Sequence, residues 1–107
     1  MKVNRNKFLK RLTEVVQNSV PNSEMYLFGS RATKKNNKLS DWDLLVLLNK
    51  EQITFDFETF LMDEFYEIEL ESGQVISPLI YSIKEWNEKY KSTPLFEVIK
   101  QEGLRLI

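Results

Sequence analysis

Phe8, Leu9, Leu12, Val15 and Val16 recur at the three- and four-residue intervals of a helix with one apolar face, and Asn4 or Asn6 stands where a cap belongs. The pattern predicts a first helix ending near Asn18. Pro21-Asn22-Ser23 is turn chemistry. Met25-Tyr26-Leu27-Phe28 then reads as a short buried strand, stopped by Gly29. From Arg31 to Ser40 the chain is polar, with Lys34, Lys35 and Lys38 around Asn36-Asn37. Its beginning fits a short helix and the rest an exposed loop. Trp42–Leu48 carries the strongest strand signal, apolar on both faces past Asp43 as a central strand is.

Phe57, Phe60, Leu61, Phe65 and Ile68 fall on one helical stripe, which predicts a helix from Phe55 to Ser72 with Gly73 at a left-handed cap. The alternation Glu67-Ile68-Glu69-Leu70-Glu71 also fits a strand, so residues 65–72 stay open between the two, with length favouring the helix. Val75–Tyr81 reads as a third strand in which Pro78 implies an edge or a bulge. Helices are expected at Ile83–Tyr90 and Pro94–Gln101, and an extended piece at Leu104–Ile107 after Gly103. This order predicts an α/β fold, a small sheet covered by helices, and its length suits a single domain over residues 1–107.

Composition narrows the chemistry. The chain has no cysteine and no histidine, which excludes disulfides, thiol nucleophiles, zinc thiolate sites and the commonest general base. Any metal must be a hard cation held by oxygens, magnesium or manganese. Acid–base work falls to Asp, Glu, Lys or Tyr. A net charge of −1 carries no signature of a nucleic-acid binder. The longest apolar run, Leu44–Leu48, is far too short to cross a bilayer, and the first residues lack a signal peptide's apolar stretch, so a cytoplasmic protein is expected.

Two blocks carry the candidate chemistry: Phe28-Gly29-Ser30-Arg31 at the end of one strand, and Ser40-Asp41-Trp42-Asp43 opening the next. Glycine at a strand end lets a phosphate approach the backbone with no Cβ in the way. A helix beginning at Ser30 would turn free amides toward that phosphate, and the serine hydroxyl adds a donor. Arg31 and the nearby lysines would add positive charge. Asp41 and Asp43 stand two apart on a strand, so both emerge on one face, where their repulsion calls for a cation between them. Trp42 and Leu44 would point into the core. Tyr26, Tyr66, Tyr81 and Tyr90 read as packing residues, and Trp86 and Phe96 as core or interface.

Gly29-Ser30-Arg31-Ala32 followed by Ser40-Asp41-Trp42-Asp43-Leu44-Leu45-Val46 resembles the minimal nucleotidyltransferase domain of the DNA polymerase β-like superfamily. The resemblance implies a mixed sheet with a nucleotide in an open cleft. Gly29 and Ser30 would hold the terminal phosphates of a nucleoside triphosphate, with ATP as the expected donor, and Asp41 and Asp43 would hold magnesium. An acceptor oxygen would then attack the α-phosphorus as pyrophosphate leaves. Small members of this kind are often antitoxins paired with a helical HEPN-type toxin, and some attach AMP to a tyrosine of that partner.

The family's third carboxylate, expected on the strand after the long helix, has no counterpart in Gln74–Tyr81. Ile76 or Ser77 stands in its place, and Glu67, Glu69 or Glu71 would substitute only from a strand beside Asp43. A second glycine is also replaced, by Thr33-Lys34. The alternative is therefore a degenerate module that binds a nucleotide or a partner without catalysis. A transferase acting on aminoglycosides would need a second domain or a homodimer.

Overall fold

The computed structural model describes residues 4–37 and 39–107. Asn4 caps the first helix, α1 (Arg5–Ser19), its side chain accepting from the Lys7 amide at 3.1 Å. The chain turns and enters β1 (Glu24–Phe28), then a single helical turn, α2 (Ser30–Thr33). Strand β2 (Trp42–Leu48) has the bounds its pattern predicts, and every residue of it except Asp43 is buried. Helix α3 (Phe55–Ser72) starts on a Thr54 cap whose hydroxyl accepts from the Phe57 amide at 3.1 Å. It ends on Gly73 at φ 71°, so residues 65–72 are helical and the strand alternative falls. Strand β3 (Ile76–Ser82), helices α4 (Ile83–Lys89) and α5 (Pro94–Glu102) and the short β4 (Leu104–Arg105) complete the chain.

The sheet is mixed and runs β3-β2-β1-β4. β2 lies parallel to β3 and antiparallel to β1, and β4 pairs antiparallel with β1. β3 is an edge strand, which is where Pro78 is tolerated, since no ladder bond on that side needs its missing N–H.

The period-2 alternation of β2 divides the core. Trp42, Leu44, Val46 and Leu48 face α1 and α3, meeting Phe8, Leu12 and Val16 from one and Leu61, Phe65 and Ile68 from the other. Leu45 and Leu47 point the opposite way, against Trp86 of α4 and Ile99 of α5. Asp43 shares the face of Leu45 and Leu47 at the N-terminal end of β2. It is only partly buried, while Asp41 just ahead of it is exposed. The sheet thus presents one covered face, and another whose carboxylate end is accessible.

The apolar stripe on α3 is narrower than its sequence suggests. Phe60 is 45% exposed rather than buried. Tyr66, expected to pack, is 55% exposed. Tyr81 and Tyr90 do pack, in an aromatic cluster with Trp86 (centroids 5.7 Å apart in each case), and Phe96 joins at 5.6 Å from Trp86.

Candidate active site

The two motif blocks meet because β1 and β2 are antiparallel neighbours with Phe28 opposite Asp43. The residue after Phe28 must turn sharply to leave the sheet. Gly29 does so at φ 73° and ψ −157°, in a region essentially reserved for glycine. Its backbone lies so close to the carboxylate that an added Cβ would fall 2.4 Å from Asp43 Oδ2. The carbonyl of Gly29 accepts from the amides of Ala32 (3.1 Å) and Thr33 (3.2 Å), closing α2. This leaves the first amides of that turn without partners inside it.

Asp41 and Asp43 emerge together beside this turn. Burial, and after it the charge of Asp41, hold the Asp43 carboxyl above the ordinary carboxylate range. Across the parallel pair, Ser77 of β3 sits opposite Asp43, and its hydroxyl donates to Asp41 Oδ2 at 3.0 Å. Ser77, rather than Ile76, therefore takes the place beside the pair; Ile76 points into the core and is buried.

Arg31 is not brought to this cleft. It is buried on the Trp42 side of β2, its guanidinium 4.4 Å from the indole centroid. Nε and Nη2 donate to the Ser40 carbonyl at 3.2 and 2.9 Å, and Nη2 also reaches Gln74 Oε1 at 3.5 Å. Gln74 Oε1 in turn accepts from Trp42 Nε1 at 2.9 Å, and Arg5 Nη2 donates to the Arg31 carbonyl at 3.3 Å. Desolvation first, then Arg5, lower the Arg31 pKa, as befits a cation held inside the fold. The expected phosphate ligand is instead a brace. It ties the residue after Ser30 to the residue before Asp41, and so holds the two blocks in register. Lys34 and Lys35 are exposed, while Lys38 lies outside the described residues.

The chain matches the family described as polymerase beta, nucleotidyltransferase, over residues 10–103. It belongs to the polymerase β-like nucleotidyltransferases. Solved structures with the same fold include a toxin–antitoxin with AMP-PNP, with a TM-score of 0.66 at 17% identity over 92% of this chain and 72% of that one. Another is a toxin–antitoxin MntA–HpeT with two aspartate-to-glutamate substitutions, with a TM-score of 0.61 at 18% identity over 98% and 73%. A third is MntA–HpeT with a tyrosine-to-alanine substitution, with a TM-score of 0.61 at 20% identity over 99% and 73%. No curated protein matches the sequence.

Within this nucleotidyltransferase, the glutamates considered as substitutes for a third carboxylate are elsewhere. They lie on α3, which covers the face opposite Asp43. Glu69 Oε1 accepts from the Ile76 amide at 2.7 Å, and Glu71 pairs with Arg11 at 2.6 Å. Glu67 is exposed on the same helix. Among the described residues, no group of three or more Asp and Glu side chains converges to enclose a metal. Two carboxylates alone still suit a magnesium-like ion, which binds through one or two carboxylates and fills its remaining positions with water and substrate phosphate oxygens. The Ser77 contact and the Arg5–Arg31–Trp42–Gln74 network escape sequence reading, because register and side-chain direction are set by long-range pairing.

Proposed function

We propose that this nucleotidyltransferase transfers a nucleoside monophosphate, AMP from ATP, to a hydroxyl on a partner protein, with Asp41 and Asp43 holding magnesium or manganese. One observation carries the reading: the Gly29 backbone lies against the Asp43 carboxylate, with Asp41 beside it, so a phosphate-approach turn and a cation-demanding pair share one cleft. In this reading the Gly29-Ser30 turn receives the terminal phosphates through its free amides and the serine hydroxyl. Ser77 steadies Asp41. The divalent ion, when bound, offsets the negative charge of the phosphates and of the departing pyrophosphate. The acceptor oxygen bonds to the α-phosphorus, pyrophosphate leaves, and with Ser77 in the third position the acceptor's proton passes to solvent. The toxin–antitoxin neighbours support a protein acceptor, and we assign it to a helical HEPN-type toxin for which this chain is the antitoxin. Among the described residues no helix is long and apolar enough to cross a membrane, which is compatible with a cytoplasmic site of action.

Incubation with α-labelled ATP, magnesium and a candidate helical HEPN-type protein is expected to label that protein. Undiminished labelling by an Asp41→Asn/Asp43→Asn double variant would overturn the reading.

The serine at the third position favours one competing account, a module that binds nucleotide or partner without turnover. Ser77→Asp separates the two. It places a third anion opposite Asp43, so it should lower the melting temperature without metal and tighten manganese binding about tenfold or more, as read by calorimetry. Manganese affinity unmoved by this change would remove the metal from the site. Nucleotide binding with no transfer by either form would select the non-catalytic module.

A further inference from the structure

Helix α3 shows a second, outward apolar stripe that nothing among the described residues covers. Phe55, Met62, Tyr66 and Leu70 are 82%, 42%, 55% and 62% exposed. At spacings of seven, four and four residues they fall within an arc of roughly 80° of the helix surface. The buried Leu61, Phe65 and Ile68 are centred roughly 130° away, so the stripe is not the margin of the core but a separate face. Val75, just past the helix, is 54% exposed.

The charge around the stripe says what can cover it. Helix α3 carries seven carboxylates and no basic residue, in a chain whose net charge is only −1. Of these carboxylates, Glu71 alone makes an ion pair among the described residues. A second copy laid stripe to stripe across a twofold axis would set one array of carboxylates against the same array, a strongly repulsive arrangement. The basic α1 of a second copy offers matching charge but no apolar counterpart, since none of the exposed large apolar residues lies on it. Nucleic acids and anionic membranes are repelled by the same carboxylates.

We infer that the outward face of α3 is a docking surface for a partner protein that presents an amphipathic helix, apolar along one stripe and flanked by lysine or arginine. Met62, Tyr66 and Leu70 are its central contacts, and Asp63 and Glu67 meet the partner's cations. This surface rests on the reading that the acceptor is a protein. It lies on the covered side of the sheet, away from Asp41 and Asp43, so docking there leaves the carboxylate cleft open.

The test uses a synthetic helical peptide with leucines at i, i+3, i+4 and i+7 and lysines on both flanks, titrated against the whole chain by calorimetry and amide NMR. Binding is expected to perturb residues 59–70 and to weaken with added salt. It should fall roughly tenfold to a hundredfold in Tyr66→Ser/Leu70→Ser, and by a similar factor in Asp63→Lys/Glu67→Lys. All these positions are exposed, so the fold should survive both changes. No nucleotide or metal is added, and the Asp41→Asn/Asp43→Asn variant should bind as the parent does, so docking and transfer fail or succeed separately. Absence of binding, equal binding of a glutamate-flanked peptide, or perturbations confined to another face would overturn the proposal. A dimer of the chain alone that is lost in Tyr66→Ser/Leu70→Ser would do the same, by giving the stripe to a second copy.

Discussion

Asp43→Asn should cut nucleotidyl transfer by on the order of a thousandfold and, at neutral pH without metal, melt at a higher temperature than the parent chain. Both effects have one origin. Burial, and after it the charge of Asp41, raise the Asp43 pKa above its ordinary 3.8. A carboxyl whose folded pKa exceeds its unfolded value holds its proton more tightly in the native state. The stability it contributes is therefore fully present below pH 3.8 and lost as pH rises through the elevated folded value. At neutrality the parent carries the whole penalty of a partly desolvated anion beside another anion. Asparagine keeps the shape without the charge and removes that penalty, along with the means of holding a cation. Melting curves from pH 3 to 8 should converge for parent and variant at the acid end and separate above it, and magnesium should raise only the parent's curve (roughly a one-sided linkage effect). A variant that melts lower than the parent at neutral pH, or that retains full transfer, would refute this account of the site.

Gly29→Ala should be nearly as damaging by a different route. The φ 73°, ψ −157° backbone at this position costs a non-glycine residue about 1–3 kcal/mol. The new methyl would also sit 2.4 Å from Asp43 Oδ2, so the carboxylate or the turn must move. Relieving that contact takes a shift of roughly 1 Å, and a misplacement of about 1 Å in a reacting centre costs on the order of a hundredfold in rate. Gly73→Ala is the internal control. It shares the positive φ, at 71°, but an added Cβ there meets nothing within 4 Å. It should cost stability by about 1 kcal/mol and leave transfer untouched. If the two alanine variants lose transfer alike, contact with Asp43 is not what Gly29 protects.

Much of this arrangement can be read along the chain, for identifiable reasons. β2 has the predicted bounds because a central strand is apolar on both faces, so burial on either side marks the same residues. α3 resolves in favour of the helix because Gly73 adopts the left-handed cap, which the competing alternation over Glu67–Glu71 cannot explain. What stays hidden is whatever depends on a partner distant in sequence. Periodicity groups Phe60 with Phe65 but cannot say where the cover provided by α1 and the sheet ends. Arg31 follows the Gly-Ser turn and so reads as a phosphate ligand; only folding reveals Trp42, Ser40 and Gln74 around its guanidinium. Parity alone leaves Ile76 and Ser77 equivalent, until the parallel register puts Ser77 opposite Asp43. Leu104–Ile107 reads as extended from the sequence, but only folding shows that Leu104 and Arg105 pair with the open edge of β1.

The Arg31 brace has a consequence for how such a protein can diversify. Its bonds to the Ser40 carbonyl fasten the residue just before Asp41 to the residue just after Ser30. The connection between the two blocks is thus secured at its base, and a second tie joins the Asn37 amide to the Ser40 hydroxyl and the Ser40 amide to the Asn37 carbonyl. Exchanges at the exposed Lys34 and Lys35 therefore alter what the surface beside the Gly29-Ser30 turn offers an incoming molecule, whereas Asn37 belongs to the fastening. Variation is thus expected to gather at those exposed side chains, while the fastening and the two carboxylates stay as they are.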